Sequence, residues 1–266
     1  MPVDVALLQV GITDDESVAD RVARVLAWSA EAAASHDVVV LPELWPVGAF
    51  AVELVAEHAE PLDGPVCRAL AKVAADTGTW VFGGSVPELA VSADGQMQRF
   101  NTHVVFAPDG SRAAAYRKIH LFGFNGGETT VMSGGTDAVV VDGTPLGPAG
   151  LATCYDLRFP ELFRRMLDRG AEAIVVASGW PERRRTHWQV LARARAIEDQ
   201  AYLLGCNSAG THAGVPMAGL SMAVDPQGEV VAEAGAGEEL LSVTIDPTRV
   251  AAWRDAFPVM ADRRLR

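Results

Sequence analysis

Cysteine is scarce in this chain of 266 residues: Cys67, Cys154 and Cys206 are the full set, an odd number without C-x-x-C spacing. That excludes a disulfide framework and a cysteine zinc site, and fits a reducing compartment. Basic runs are missing as well. Twenty-two Lys and Arg face 34 Asp and Glu, for a net charge of −12, which argues against nucleic acid or an anionic membrane surface as partner. No uninterrupted apolar run approaches the roughly 18 residues of a membrane helix. The start, MPVDVALLQVG, lacks the basic region and cleavage site of a signal peptide, so a cytoplasmic protein is expected. No H-E-x-x-H or similar spacing is found, and the Gly pairs at 83–84, 126–127 and 134–135 lack a dinucleotide or Walker context. Neither a metal nor an organic cofactor is expected. There is no linker, solenoid-length repeat or low-complexity segment, so residues 1–266 read as one domain.

What is present is a 49% hydrophobic chain in which strand-like and helix-like runs alternate. VDVALLQV reads as a strand, and ESVADRVARVLAWSAEAAASH as a helix with Val18, Val22, Val25 and Leu26 on one side and Asp14 or Asp15 as cap. DVVVLPEL does not alternate and reads as a buried strand. GPVCRALAKVAADTG closes a helix on Gly78, and TWVFGGSVPEL resumes the strands. PDGS is a hairpin turn between QRFNTHVVFA and RAAAYRKIHL. LFGFNGGETTVMSGG is a Gly-rich loop long enough to suggest function. Strands and helices then alternate to the end, with FPELFRRMLDRG and THWQVLARARAIEDQ as helices, the latter capped by Thr186. This order predicts an α/β domain of two sheets flanked by helices.

The stretch AGLATCYDLRFPELFRRML places Cys154 where a strand stops and a helix begins. Such junctions point a side chain into the crevice where α/β folds bind ligands, and the helix start offers N–H groups and a positive dipole end. Both favour a reactive thiol, although a lone cysteine in an apolar strand is also an ordinary small core residue. Cys67 and Cys206 lie in apolar contexts that favour the core reading. Glu43 closes VVVLPEL, and a carboxylate there is costly unless paired or placed in a site; it is a candidate general base or a plain loop acid. Alternation puts Tyr116, Lys118 and His120 on one strand face. Lys118 is a candidate oxyanion donor or a solvated edge lysine. Glu128, in GGETT, either supports Lys118 or is exposed. His120 would serve a Cys–His pair, or is structural.

Together LPELW, FNTHVVFAPDG, YRKIHLF, GET, GLATCYDLRFPELFR, SGWP, HWQVLARARAIEDQ and SMAVDPQGEVVAEAG resemble the nitrilase superfamily of carbon–nitrogen hydrolases, in order and over nearly the whole chain. The resemblance implies a four-layer αββα sandwich, two mixed β-sheets flanked by helices, that dimerises through helices. It implies Glu43 as base, Lys118 as oxyanion stabiliser, Cys154 as nucleophile and Glu128 as supporting acid, with no cofactor. CYDLRFPEL is similar to the small-amidase branch that includes the Nit proteins and bacterial ω-amidases, hydrolysing small amides through a thioester. Trp45, Phe122, Tyr155 and Trp180 are candidate pocket walls, and core packing is the plainer reading of each. A carbamoyl-amino-acid hydrolase, nitrilase, acyltransferase or non-catalytic binding member of the same family is the alternative. A homodimer or larger even assembly is expected, with the polar tail PVMADRRLR reaching the partner.

Overall fold

The computed structural model describes residues 1–91, 95–124 and 126–265. Two six-stranded mixed sheets form its centre. The first runs in the order Glu239–Ile245, Val3–Gln9, Val38–Val40, Trp80–Val91, Met97–Phe106, Arg112–Arg117. The second runs Val230–Glu233, Met222–Val224, Tyr202–Asn207, Ala173–Ser178, Ala149–Thr153, Val140–Val141. A small third sheet joins Gly11–Thr13, Ala209–His212 and Val215–Pro216.

The strand sequences explain the layering. Val38–Val40 pairs in parallel with neighbours on both sides, and all three valines are buried. Val38 and Val40 join Val5, Leu7, Phe82, Val105 and Tyr116 against Leu151, Val175 and Leu203 of the other sheet. Val39 faces the opposite way with Ala6, Leu8, Val81 and Val104, toward the helices Val18–Ala33 and Pro65–Thr77. On the far side, Met166 of helix Pro160–Asp168 and Trp188, Ala192 and Ala196 of helix Arg185–Asp199 cover the second sheet. The result is the expected αββα sandwich, because each central strand buries both faces.

Local chemistry differs from the sequence reading in four places. The first helix is capped by Ser17, whose Oγ accepts the Asp20 N–H at 3.1 Å, and not by Asp14 or Asp15. Thr186 lies inside the helix that starts at Arg185. The strand leading to Glu43 ends at Val40, and the chain then turns through Leu44 in the left-handed region, at φ 42°. This turn packs on Gly84 (φ 62°), where a Cβ would overlap the Pro42 carbonyl. Finally, the C-terminal segment folds onto its own chain. Arg263 pairs with Asp168 at 2.6 Å, and Arg164 reaches Met260 Sδ at 3.6 Å.

His103 sits between the sheets on Met97–Phe106, its ring edge-on to Phe82. Burial pushes its imidazole down to about 4 from an ordinary 6.5, with the Ala152 backbone opposing. The folded state resists the proton, so its contribution is intact above pH 6.5 and is lost as pH falls toward 4. The arithmetic gives a loss of about 2 kcal/mol at pH 5. Equilibrium urea unfolding at pH 7.5 and pH 5 should show His103→Gln losing less stability between the two conditions than the parent by about that amount.

Candidate active site

Residues from five strands or the turns that follow them meet at one end of the sandwich. Three come from the first sheet: Glu43 follows Val38–Val40, Asn101 lies on Met97–Phe106, and Lys118 immediately follows Arg112–Arg117. Two come from the second: Cys154 follows Ala149–Thr153, and Gly179 follows Ala173–Ser178. The parallel strands Val38–Val40, Ala149–Thr153 and Ala173–Ser178 thus present residues at their carboxyl ends, where α/β folds place ligands.

Lys118 is the hub. It is 1% exposed, and its Nζ donates to Glu43 Oε1 and to Glu128 Oε2, each at 2.6 Å. Asn101 Nδ2 donates to the same two carboxylates, at 2.9 Å to Glu43 Oε1 and 2.6 Å to Glu128 Oε1. The remaining Glu43 oxygen accepts the Gly179 N–H at 2.8 Å. Glu128 Oε2 also takes the Phe122 N–H at 2.7 Å. A buried ion is tolerated only when paired and hydrogen-bonded, and every charge in this cluster is. Gly179 has to be glycine, since a Cβ would overlap Ala49 and sit 3.3 Å from Glu43 Oε2.

Charge states follow from these contacts. Burial alone would lower the Lys118 ammonium, but Glu128 and Glu43 hold it well above its ordinary value. Burial raises Glu128, against the pull of Lys118. Cys154 is raised by burial and then by the Glu43 carboxylate, with Lys118 and the Ser178 hydroxyl opposing. The resting sulfur is therefore a thiol beside a carboxylate and an ammonium. Its backbone is left-handed (φ 44°), a conformation that costs a non-glycine residue of order 1–3 kcal/mol. Cys154 opens a short 3-10 turn, Cys154–Arg158, rather than a long helix. The first N–H groups of such a turn, including that of Tyr155, have no acceptor within it.

A small cavity opens over this cluster. Its walls include Phe50, Phe122, Tyr155, Trp180, Arg158 and Arg184. Phe122 and Tyr155 meet edge to face at 5.3 Å. The Arg158 guanidinium lies 4.7 Å from the Trp180 ring and that of Arg184 5.2 Å from Phe122. Neither arginine pairs with a carboxylate among the described residues. Of the four candidate walls, Phe122, Tyr155 and Trp180 line the cavity and Trp45 does not. Trp45 is fully buried beneath the first sheet, its Nε1 donating to Gly83 O at 2.9 Å, because the left-handed turn at Leu44 swings it away from Glu43.

Asn101, Gly179, Phe50, Arg158 and Arg184 are additions to the residues expected from sequence. Arg158 lies within the CYDLRF stretch and so carried a signal, whereas Asn101 is one of several polar residues in its strand and did not stand out. Cys67 lies in the outer helix layer, where burial raises its thiol to about 12. Cys206 contacts the Leu8 and Val40 carbonyls inside the core. His120 is held outside the cluster: its Nδ1 is 2.7 Å from Asp156 Oδ1, and its ring stacks on Phe159.

Comparison with known proteins agrees with this geometry. The carbon–nitrogen hydrolase family model matches residues 4–255. A 2-oxoglutaramate amidase of Paenarthrobacter nicotinovorans is 39% identical over 98% of this chain and 89% of its own length. The omega-amidase NIT2 of Homo sapiens is 34% identical over 97% of this chain and 94% of its own. The crystal structure of Saccharomyces cerevisiae Nit3, of branch 10 of the nitrilase superfamily, superposes with a TM-score of 0.87 at 30% identity, covering 99% of this chain and 97% of that one. The chain belongs to the carbon–nitrogen hydrolase family and is an amidohydrolase of the nitrilase superfamily.

Proposed function

We propose that the protein hydrolyses the terminal amide of a small dicarboxylic acid monoamide, 2-oxo acids included, through a thioester on Cys154. One observation carries this reading. A thiol, a paired ammonium and a carboxylate share a small cavity whose walls hold two guanidinium groups with no carboxylate partner among the described residues. An amide carbon placed over Cys154 leaves the acyl chain pointing at Arg158 and Arg184, which suit a carboxylate. Relatives named 2-oxoglutaramate amidase and omega-amidase support the same substrate class.

The steps follow from the charge states. Glu43 removes the Cys154 proton as sulfur attacks the amide carbon, so the thiolate need not accumulate. The oxyanion forms between the Lys118 ammonium and the Tyr155 N–H. Glu43 passes its proton to the amide nitrogen, the C–N bond breaks and ammonia leaves a thioester. Glu43 then deprotonates a water that attacks the same carbon. The C–S bond breaks, sulfur regains the proton and the acid departs. Glu128 and Asn101 keep Lys118 charged and aimed throughout. The chain works in this reading as a single cytoplasmic domain.

Ammonia release tests the chemistry. Cys154→Ala should lower kcat by several orders of magnitude while Cys67→Ala and Cys206→Ala keep most activity. Glu43→Gln should be severe and His120→Asn modest; the reverse order would point to a Cys–His hydrolase. The substrate reading is tested by the ratio of kcat/KM for a dicarboxylic monoamide to that for an uncharged amide of equal length. Arg158→Met and Arg184→Met should each reduce that ratio by about tenfold or more, the scale of one charge-assisted contact. An unchanged ratio would refute the carboxylate contact.

We further propose a homodimer. Val190 and Ile197 on the outer face of helix Arg185–Asp199 are 58% and 51% exposed, with Val230 beside them. Trp188 and Arg195 of the same helix are buried in their own chain and leave the outer face to these residues. Such a patch marks an association surface. Light scattering at micromolar concentration should give twice the 28.2 kDa chain mass, and Ile197→Arg should shift it toward the single chain.

A further inference from the structure

Asp156 is fully buried, two residues after Cys154, and it is absent from the cavity wall. Its two oxygens accept from two different parts of the site. Oδ2 takes the Thr153 N–H at 3.0 Å and the Tyr116 hydroxyl at 2.7 Å. Oδ1 takes the His120 N–H at 3.0 Å and lies 2.7 Å from His120 Nδ1. Thr153 directly precedes the strained Cys154, while Tyr116 and His120 flank Lys118 on either side. One carboxylate therefore ties the backbone of the cysteine turn, from the second sheet, to the strand end that carries Lys118, from the first.

We propose that Asp156 is a positioning residue that sets the separation of the Cys154 sulfur from the Lys118 ammonium, by clamping both backbones from outside the cavity. The inference rests on the roles of Cys154 and Lys118 given above. The clamp needs a group that accepts on both oxygens. Asparagine has the same shape but only one accepting oxygen. Tyr116 can turn its hydroxyl and His120 Nδ1 can change its tautomer to suit an amide, but the Thr153 and His120 backbone N–H groups cannot. In either amide orientation one of the two backbone bonds becomes a donor–donor contact. Asp156→Asn thus releases either the cysteine turn or the lysine strand. Tyr116→Phe removes a side-chain donor from the same buried spot, together with a long 3.3 Å contact from the Ile119 N–H, and leaves both Asp156 backbone bonds in place.

The test compares Asp156→Asn, Asp156→Glu and Tyr116→Phe, each as purified full chain, with Cys154→Ala measured alongside. Ammonia release gives kcat and KM per folded molecule, circular dichroism gives the folded fraction, and iodoacetamide labelling gives the rate of Cys154 alkylation. Misplacement by about 1 Å costs on the order of a hundredfold in rate. Asp156→Asn should therefore lower kcat by about a hundredfold with KM within about threefold, and slow alkylation in parallel. Asp156→Glu, which keeps two acceptors but displaces them by a methylene, should show the same split. It decides the question if the asparagine variant does not fold. Tyr116→Phe should stay within about threefold of the parent in kcat. A folded Asp156 variant with parental kcat and alkylation rate would overturn the clamp, as would equal kcat losses in Tyr116→Phe and Asp156→Asn. Activity retained by Cys154→Ala would instead refute the thioester reading, whatever the Asp156 variants do.

Discussion

The site is organised by one constraint: a lysine ammonium taken almost wholly out of water needs negative charge at contact distance. Lys118 has two carboxylates at 2.6 Å. Removing one partner of such a group typically costs 3–5 kcal/mol, so Glu43, Glu128 and the elements that carry them are held in register by Lys118 as much as they hold it. Asn101 closes the arrangement by donating to both acids. In the proposed mechanism the charge that the cluster stabilises finds its use when an oxyanion forms beside it. The cost of its burial is met before substrate arrives, which is what preorganisation means here.

The same cluster bears on the nucleophile proposed above. A cysteine beside a carboxylate in a dry site stays protonated, and burial and Glu43 both push Cys154 in that direction. A cysteine paired with an imidazolium would be ionised at rest. Here His120 is turned to Asp156, and the proton acceptor in the proposed mechanism is Glu43. The left-handed backbone at Cys154 places the sulfur over the cavity where the strand ends, and the 3-10 turn that follows leaves its first N–H groups without acceptors inside the turn.

Much of this was legible in the sequence because the informative residues sit at ends of apolar runs. Glu43, Lys118 and Cys154 each stand where a strand gives out, and an ionisable or nucleophilic residue there violates the local pattern. The layered α/β architecture was legible for a related reason: runs such as VVV and AIVVAS do not alternate, so both faces had to be covered. Asn101 was hidden by a register shift. Counting outward from the Phe106–Arg112 pair would set Lys118 opposite Phe100, but the irregularity between Val105 and Phe106 moves the pairing so that Thr102 faces Arg117. Lys118 then donates its N–H to Asn101 O at 2.8 Å. Trp45 follows Glu43 in sequence, but the left-handed Leu44 between them turns it into the core, the plainer of its two readings. Arg184 follows a Trp-Pro turn whose path depends on tertiary contacts, so its approach to the cavity has no local signal.

The division of labour between the two sheets has its own consequence. The acid–lysine cluster belongs to the first sheet, the sulfur and the Gly179 amide to the second, and the seam between them is filled by side chains such as Phe82, Tyr116, Leu151 and Val175. With the roles proposed above, neither half of the sandwich holds a complete reaction centre. Turnover is therefore a readout of how the sheets dock: a slip of one layer over the other that left every strand intact would silence the enzyme. With those roles, substitutions deep in the seam, far from any substrate atom, would tune its rate.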